Sequence, residues 1–313
     1  MAHDTRLAVV RFGDAPRETS PAPWLEARIP NAKLALAPSE EVWPASGSVA
    51  CRPLEGGSSA SDGRSLFAVW ETDVDTASSL EAPARELYGR VLRGVTAAGF
   101  PHLLRMWNYV PRIHDRSSGM ERYMSFCKGR SEAFAAHFGG EFPAQLPAAS
   151  AVGCPGDRLV VHVLSSAAPG THVENPRQLP AYRYPPRYGP KSPAFARGTV
   201  APSPWGTLFV SGTASIVGHE SRFGGEPARQ VEETMRNVEA VLDSAGVAGA
   251  GGPLGPRLRS LRIYVRFPDQ LPSIQGAVAR SVGSAVPTTW LQAEICREEL
   301  LVEIEATAGA TCA

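Results

Sequence analysis

The chain has 313 residues, enough for two domains of average size, and 31 basic residues balance 31 acidic ones to give a formal net charge of zero. This balance excludes a broad electrostatic attraction to nucleic acid or to an anionic membrane, so any bound anion must be held by a local group of cations. No stretch approaches the roughly 20 apolar residues that cross a bilayer, and no secretory leader is evident, so we expect a cytoplasmic protein without membrane or nucleic-acid partners.

The five cysteines lie far apart, without the spacing of a disulfide framework or of a paired-cysteine zinc site. We therefore expect reduced thiols and no metal.

Residues 1–147 are expected to form a first domain. Within it residues 44–64, which are rich in Gly, Ser and Pro, predict a flexible surface loop. Residues 66–74 then predict a strand, and apolar residues that recur every three or four positions between Ala84 and Val95 predict an amphipathic helix packed on a sheet. A second strand and a second helix are predicted at residues 102–113 and 121–138.

Residues 148–313 are expected to form a second domain, after a loop-like stretch near residues 140–150. A long helix is predicted at residues 227–246, because its apolar residues line one stripe. The other predicted elements are strands at 159–163, 206–218 and 258–268, a short helix at 272–282, and closing strands at 288–297 and 300–308. The order of elements resembles that of the first half and favours an α+β fold of two domains, each a sheet with helices packed on one face.

The segment between Glu174 and Pro204 has too many prolines for a helix interior or a central strand. It also contains three tyrosines, Phe195 and five cations. Loops with aromatic and arginine side chains are frequent ligand contacts, whereas a proline-rich segment can also be only a surface strap. The residues alone leave both interpretations open.

Several segments of the chain carry a resemblance to known families. LFVSG, QVEETMRNVEAVLDSAG, LRIYVRFPD and LLVEIEATA follow the order and spacing of the YjgF/RidA family. Over both halves the chain resembles the chorismatases, whose second domain is RidA-like and whose first domain is a divergent relative of it. The segments that carry this fuller resemblance are MWNYVPRI, ERYMSFCKGR, ENPRQ, YRYPPRYGPKSPAFAR, SGTASIVGHES and EICREELLVEIE. It implies two YjgF/RidA-like (chorismate-mutase-like) domains, each with a mixed sheet.

The resemblance implies an enzyme that needs no cofactor and removes the enolpyruvyl group of chorismate as pyruvate. Chorismatases fall into three subgroups. One forms 3-hydroxybenzoate, one forms 3-hydroxybenzoate together with 4-hydroxybenzoate, and one hydrolyses chorismate to a dihydroxy-cyclohexadiene acid. We favour 3-hydroxybenzoate and keep the hydrolase open. RidA-like folds commonly form trimers, and the sequence leaves a homo-oligomer and a monomer equally open.

Chorismate is a dianion, so its site needs cations for two carboxylates, and the planar fork of arginine suits this role better than lysine. The resemblance places Arg130 and Arg197 there, with Tyr123 and Tyr188 as phenolic hydrogen-bond partners. An isolated arginine is more often a surface ion pair, and a helical tyrosine is more often core. Three further arginines are credible substitutes: Arg122, Arg177 and Arg183.

Glu303 is the expected general acid. Strand alternation in LLVEIEATA puts Leu301, Glu303 and Glu305 on one face, with Glu303 in the middle of the strand. Burial would raise its pKa and keep it protonated, ready to protonate the methylene carbon of the substrate. The alternative is a solvent-facing glutamate on a half-exposed sheet. Glu305 shares the face and serves as the control position.

Cys296 occupies the position where the resemblance places a cysteine that assists ring rearrangement in the 3-hydroxybenzoate-forming enzymes. By default a buried cysteine is a packing residue, and only a lowered thiol pKa would make it reactive. Ala214 or Ser215 falls where the family has a residue that steers the product. His219 is expected to be a loop histidine with a backbone partner.

Two rival functions remain. A RidA-type imine or enamine deaminase would have no use for the proline-rich segment or the first domain. A non-catalytic small-molecule binding module stays open as well, because a fold does not fix an activity.

Overall fold

The computed structural model describes residues 6–13, 22–34, 40–117, 119–202 and 206–309. Within these ranges the chain forms two six-stranded sheets, one three-stranded sheet, two short hairpins and four α-helices. This mixture confirms the predicted α+β class. None of the helices in the described ranges is long and apolar enough to span a membrane.

The N-terminal residues form a three-stranded sheet of β1 (Arg6–Phe12), β2 (Leu25–Ile29) and β3 (Glu40–Pro44). β1 lies in the middle, parallel to β2 and antiparallel to β3. None of the sequence patterns described above predicts this sheet.

The first six-stranded sheet and its helices occupy residues 50–166. The elements are β4 (Ala50–Leu54), β5 (Gly57–Ser61), β6 (Ser65–Asp73), α1 (Glu81–Ala97), β7 (His102–Pro111), β8 (Arg116–Ser117), β9 (Met120–Glu121), α2 (Arg122–Phe138), β10 (Ala148–Cys154) and β11 (Arg158–Ser166). The strand order is β10-β7-β11-β6-β5-β4, and β8 pairs with β9 in a hairpin that leads into α2. Both helices bury their apolar stripes against one face of the sheet, as the three-and-four spacing predicts.

The flexible loop predicted at residues 44–64 is wrong, because most of this stretch forms the hairpin of β4 and β5. Gly56 has a φ of 67° and makes the turn. Gly57 lies against Trp70, where an added Cβ would be 2.6 Å from Nε1 of the indole. The small residues that suggested a loop therefore allow a strand to approach a large side chain.

The domain division expected between residues 147 and 148 falls inside the first sheet. β10 pairs with β7 over its whole length, and β11 lies between β6 and β7. The loop-like residues 140–150 therefore connect two elements of one domain. The chain passes to the second sheet only after Ser166.

The second six-stranded sheet occupies residues 171–309. Its elements are β12 (Thr171–Val173), β13 (Gly198–Val200), β14 (Thr207–Thr213), β15 (Ile216–Val217), β16 (Glu220–Ser221), α3 (Pro227–Ser244), β17 (Leu258–Val265), α4 (Leu271–Val282), β18 (Thr288–Gln292) and β19 (Val302–Gly309). The strand order is β12-β13-β14-β19-β17-β18, and β15 pairs with β16. β17 and β18 are parallel because α4 connects them, so the two predicted closing strands lie on opposite sides of β17. α3 and α4 cover one face, so the predicted sheet with helices on one face is confirmed in both halves.

The helix-free faces of both large sheets meet each other and the N-terminal sheet in a shared core. Aromatic rings from four strands pack there, with Trp43 5.5 Å from Trp107 and 5.9 Å from Phe209 between ring centroids, and with Phe67 beside them. Because the sheets are held face to face, side chains of β19 lie close to side chains of β7 and β10.

Candidate active site

Glu303 and Glu305 lie on the face of β19 that is turned towards the first sheet. The two residues are only 3% and 5% exposed to solvent. β19 is an interior strand between β14 and β17, and β10 of the first sheet packs over β14. The alternation predicted for LLVEIEATA is confirmed, and the solvent-facing alternative for Glu303 is wrong.

Glu305 is surrounded by hydrogen-bond donors. It accepts bonds from Trp107 Nε1 at 2.9 Å, Ser150 Oγ at 2.5 Å and Tyr264 Oη at 3.1 Å. Arg105 Nη2 lies 3.0 Å from one carboxylate oxygen, and Arg262 Nη1 lies 3.4 Å from the other. Burial alone would raise the pKa of Glu305, but the two guanidinium groups and the hydrogen bonds from Ser150 and Trp107 together outweigh it and hold the pKa below its usual value.

Glu303 is in the opposite situation, since its Oε1 is buried without a hydrogen-bond partner in the described part of the chain. Burial raises the pKa of Glu303 to about 8, and the negative charge of Glu305 adds to this effect, while Arg105 opposes it. The carboxyl is therefore protonated at neutral pH and has a proton to donate.

Gly212 on β14 makes room for this carboxyl. A Cβ at this position would lie 1.9 Å from Oε1 of Glu303 and 2.8 Å from the Cβ of Ser150. Gly212 is not among the residues predicted for the site, although a glycine inside an otherwise apolar strand is a signal for a close approach.

Glu303 lines two adjoining cavities. The outer one has a volume of about 220 Å³ and is also lined by Tyr123, Tyr188, Arg197 and Cys296. The inner one has a volume of about 30 Å³ and is also lined by Arg130 and Ser150. Tyr123, Cys296 and Gly212 border both, so the two form one site around the acid.

Arg130, on α2, is 2% exposed, and its Nε and Nη2 have no hydrogen-bond partner among the described residues. The guanidinium carbon lies 5.2 Å from the ring centroid of Tyr88. A buried cation with unsatisfied donors is costly. The arrangement is typical of a site that is completed by an anionic ligand.

Arg197 closes the outer cavity from the proline-rich segment. Its Nη2 donates to the carbonyl of Leu179 at 3.0 Å and to Tyr184 Oη at 2.8 Å, while Nε has no partner within the described chain. Glu174 is close by, and burial raises its pKa to about 7 although Arg197 and Arg183 oppose the shift. The segment thus lies along the cavity and is more than a surface strap.

Tyr188 and Arg297 form the rim of the outer cavity. The Tyr188 hydroxyl donates to the carbonyl of His219 at 2.7 Å, and the guanidinium carbon of Arg297 lies 4.0 Å from the Tyr188 ring centroid. Arg297 Nη1 donates to the same carbonyl and to Ser221 Oγ, each at 3.0 Å. His219 is a turn residue beside this rim, as predicted, but the partners of its ring Nδ1 are the side chains of Arg187 at 2.8 Å and Tyr188 at 3.4 Å, where a backbone partner was expected. Arg297 was not among the predicted ligand residues, because nothing local distinguishes it from a surface arginine.

Four predicted residues lie elsewhere. Ser215 is buried and its Oγ donates to the carbonyl of Arg222, so it stabilises a turn and does not line the cavities, whereas Ala214 does line the outer one. Arg122 donates to backbone carbonyls, including that of Ser78 at 2.8 Å. Arg177 pairs with Glu233 at 2.5 Å. Arg183, the last substitute, is exposed.

Cys296 lines both cavities, and burial raises the pKa of its thiol, with a further contribution from Glu303 that exceeds the opposing effect of Arg297. The thiol is therefore protonated, and the lowered pKa on which a reactive thiolate depends is not present.

A larger cavity of about 680 Å³ lies on the other side of the Arg105 and Glu305 pair, between β3 and the second sheet. Glu305, Arg105 and Arg262 line it, and Glu303 does not. The two glutamates of β19 are therefore exposed to different cavities. No cluster of three potential metal-ligating side chains occurs in the described ranges.

Comparison with known proteins gives consistent results. Residues 41–165 match the family described as "Chorismatase FkbO/Hyg5-like, N-terminal". The chain is 35% identical over 278 residues to a 3-hydroxybenzoate synthase of Streptomyces hygroscopicus, an alignment that covers 86% of this chain and 81% of the relative. It is 36% identical over 227 residues to a chorismatase of Streptomyces rapamycinicus, covering 70% and 67% of the two chains. A crystal structure of a chorismatase superposes with a TM-score of 0.85 at 30% identity, over 97% of this chain and 93% of the other.

Proposed function

This chain belongs to the chorismatase family, and we propose from this premise that it converts chorismate to 3-hydroxybenzoate and pyruvate. The relative named a 3-hydroxybenzoate synthase aligns with most of both chains. The observation that carries the proposal is the protonated carboxyl of Glu303, which lies in a site that also contains buried guanidinium groups with unsatisfied donors.

Binding of the substrate rests on the arginines. Chorismate carries two carboxylates, and Arg130 and Arg197 both have N–H donors without a partner in the described chain. Arg130 borders the inner cavity and Arg197 the outer one, so one carboxylate would lie at each end of the site. Charge-assisted hydrogen bonds of this kind are about twice as strong as neutral ones.

The first chemical step is protonation of the terminal methylene carbon by Glu303. The proton leaves the carboxyl and forms the new C–H bond, and positive charge develops on the carbon that bears the ether oxygen. The Glu303 carboxylate left behind stabilises this charge, in a site where burial makes electrostatic interactions stronger than in water.

The second step needs no water. The ring hydroxyl at C4 attacks C3, the bond between C3 and the ether oxygen breaks, and that oxygen leaves with pyruvate. The Glu303 carboxylate takes up the hydroxyl proton and regains its acid form. The C4–O bond of the resulting arene oxide breaks while the protonated thiol of Cys296 donates a proton to the oxygen. The ring then loses its C3 hydrogen as a proton, which restores the thiol and gives the aromatic 3-hydroxybenzoate.

Pyruvate release tests the proposal directly. The protein is incubated with chorismate, pyruvate is followed with lactate dehydrogenase and NADH, and the aromatic product is separated by chromatography. We expect pyruvate and 3-hydroxybenzoate in equal amounts, and neither from Glu303→Gln. Formation of a dihydroxy-cyclohexadiene acid would identify a hydrolase, and absence of pyruvate would contradict the proposal.

Labelled water separates the two routes further. In the intramolecular route the pyruvate ketone oxygen comes from the ether, whereas in hydrolysis it comes from solvent. With heavy-oxygen water, and with lactate dehydrogenase in excess to trap pyruvate before its carbonyl exchanges, we expect unlabelled lactate. Labelled lactate from the first turnovers would favour hydrolysis.

A further inference from the structure

Two buried carboxyls lie on the same face of one strand. Glu303 and Glu305 are separated by two residue steps of β19, which corresponds to roughly 6.6 to 6.8 Å along a strand. At this distance in a protein interior, the charge of one carboxylate opposes ionisation of the other. Which of the two ionises first depends on their surroundings.

The surroundings of Glu305 favour its ionised form. All five groups that contact its carboxylate are donors: Ser150, Trp107, Tyr264, Arg105 and Arg262. They come from β7, β10 and β17, so the carboxylate is held from three strands. Protonation of Glu305 would leave the buried Arg105 without its counter-ion and would remove one of the two carboxylates that pair with Arg262, which is strongly unfavourable.

The surroundings of Glu303 do not compensate a negative charge. Its Oε1 has no hydrogen-bond partner in the described part of the chain. Tyr123 and Cys296 face it, and burial raises the pKa of both, so they stay uncharged. The other charged residues that border the cavities of Glu303 are Arg116, Arg130, Arg197, Arg297, Glu121, Glu298 and Glu299. Among the cations, Arg105 opposes the rise in the pKa of Glu303, but it already lies 3.0 Å from Glu305. Its attraction is therefore largely offset by the charge of Glu305.

Glu305 does not touch the substrate cavities. It lines the large cavity on the opposite side, together with Arg105 and Arg262, while Glu303 lines the two cavities of the site. Any influence of Glu305 on chemistry is therefore indirect, through side chains that border the site, which include Glu303 and Ser150.

We propose that Glu305 is a positioning residue whose fixed negative charge keeps the neighbouring Glu303 in its acid form. The inference rests on the proposed function only where it says that the proton of Glu303 is used in catalysis. That Glu303 is protonated does not depend on the proposed function. The ion pairs with Arg105 and Arg262 fix the charge of Glu305. Because Oε1 of Glu303 has no hydrogen-bond partner in the described part of the chain, the ionisation of Glu303 responds to that charge. Removal of the Glu305 charge should thus make Glu303 more acidic.

Infrared spectroscopy of the whole protein tests this without turnover. The carbonyl stretch of a protonated Glu303 is identified as the band lost in Glu303→Gln, and it is titrated in the wild type, in Glu305→Gln and in the charge-conserving Glu305→Asp. We expect the midpoint in Glu305→Gln to fall by about one to two pH units. Glu305→Asp should retain a midpoint close to that of the wild type.

The pH profile of kcat with chorismate is the second readout. An acid is active when protonated, so the decline of kcat at high pH should move down in Glu305→Gln by the same amount as the infrared midpoint. An unchanged midpoint, or a kcat lowered equally at every pH, would mean that Glu305 is only structural. If neither the wild type nor any variant releases pyruvate, but the infrared midpoint of Glu303 still falls in Glu305→Gln, the proposed function is wrong and the electrostatic coupling is supported.

Arg262→Gln provides an independent test should Glu305→Gln fail to fold, as circular dichroism would show. Arg262 contacts Glu305 and Glu41. Loss of this cation leaves the charge of Glu305 less neutralised, so the infrared midpoint should rise. A fall, or no change, overturns the proposal.

Discussion

The backbone of Gly212 faces the carboxyl of Glu303 so closely that a Cβ at position 212 would lie 1.9 Å from Oε1. The same Cβ would lie 2.8 Å from the Cβ of Ser150 on β10. Glycine at position 212 therefore leaves the space that the carboxyl occupies.

Gly212→Ala should displace the carboxyl. Because a displacement of about 1 Å at reacting groups costs on the order of 100-fold in rate, we expect kcat to fall by about that factor. Overpacking should also lower the free energy of unfolding by about 1 to 3 kcal/mol. Steady-state pyruvate release and urea denaturation measure the two effects.

Gly276→Ala is the matched control, since the nearest atom to a Cβ there is the flexible end of Arg280 at 3.5 Å. It should leave kcat unchanged. Wild-type activity in Gly212→Ala would show that the Glu303 carboxyl can shift without loss of function.

The pH dependence of stability follows from the raised pKa of Glu303. Its usual value is 4.5 and its value in the folded chain is about 8, so between these pH values the folded state binds more protons than the unfolded state. The contribution of Glu303 to the free energy of unfolding is therefore fully present below about pH 4.5 and is lost as the pH rises to about 8. Glu303→Gln removes this dependence.

Thermal unfolding of the wild type and Glu303→Gln should therefore diverge with pH. We expect the Tm of the variant to exceed that of the wild type at pH 8 and the difference to shrink towards pH 5. Parallel curves across this window would show that Glu303 ionises near its usual value.

Arg130 and Arg122 lie on the same helix and should respond differently to replacement by methionine. Arg130→Met removes unsatisfied donors, so the fold should be retained while kcat/KM for chorismate falls by about 100-fold or more. Arg122→Met removes the partner of several backbone carbonyls and should lower the free energy of unfolding by about 3 to 5 kcal/mol. Chemical denaturation together with kinetics distinguishes the two outcomes; a stability loss in Arg130→Met equal to that in Arg122→Met would assign Arg130 a structural role.

Cys296 should react slowly with iodoacetamide at pH 8, because burial and Glu303 hold the pKa of its thiol above the usual value. Cys51, which is exposed, serves as the internal reference. Peptide mass spectrometry over a time course gives both rates. Faster labelling of Cys296 than of Cys51 would indicate a thiolate.

Sequence patterns predict where the acid lies but not which of the two carboxyls is protonated. Alternation in LLVEIEATA places Glu303 and Glu305 on one face, and apolar neighbours predict burial. The opposite behaviour of the two carboxyls depends on Trp107, Ser150 and Arg262, which lie on three other strands. The local sequence of one strand does not show which side chains the neighbouring strands place beside it.

The same limit applies to the arginines and to the hairpin. Arg122 and Arg130 are eight positions apart on one helix, and only the tertiary structure shows that the first is satisfied by carbonyls and the second is not. Residues 44–64 predict a loop because small residues are common in loops, whereas here they accommodate the indole of Trp70.

The contacts of Glu305 also have a consequence for the assembly of activity during folding. Trp107 and Ser150 precede Glu305 by 198 and 155 residues, so the second half of the chain by itself supplies this carboxylate with only Tyr264 and Arg262 among its five donors. Contacts of such long sequence separation form slowly. Because the first sheet covers Glu303, we expect this residue to become a protonated acid only when both halves have docked, and to ionise as an ordinary glutamate in a half-folded chain.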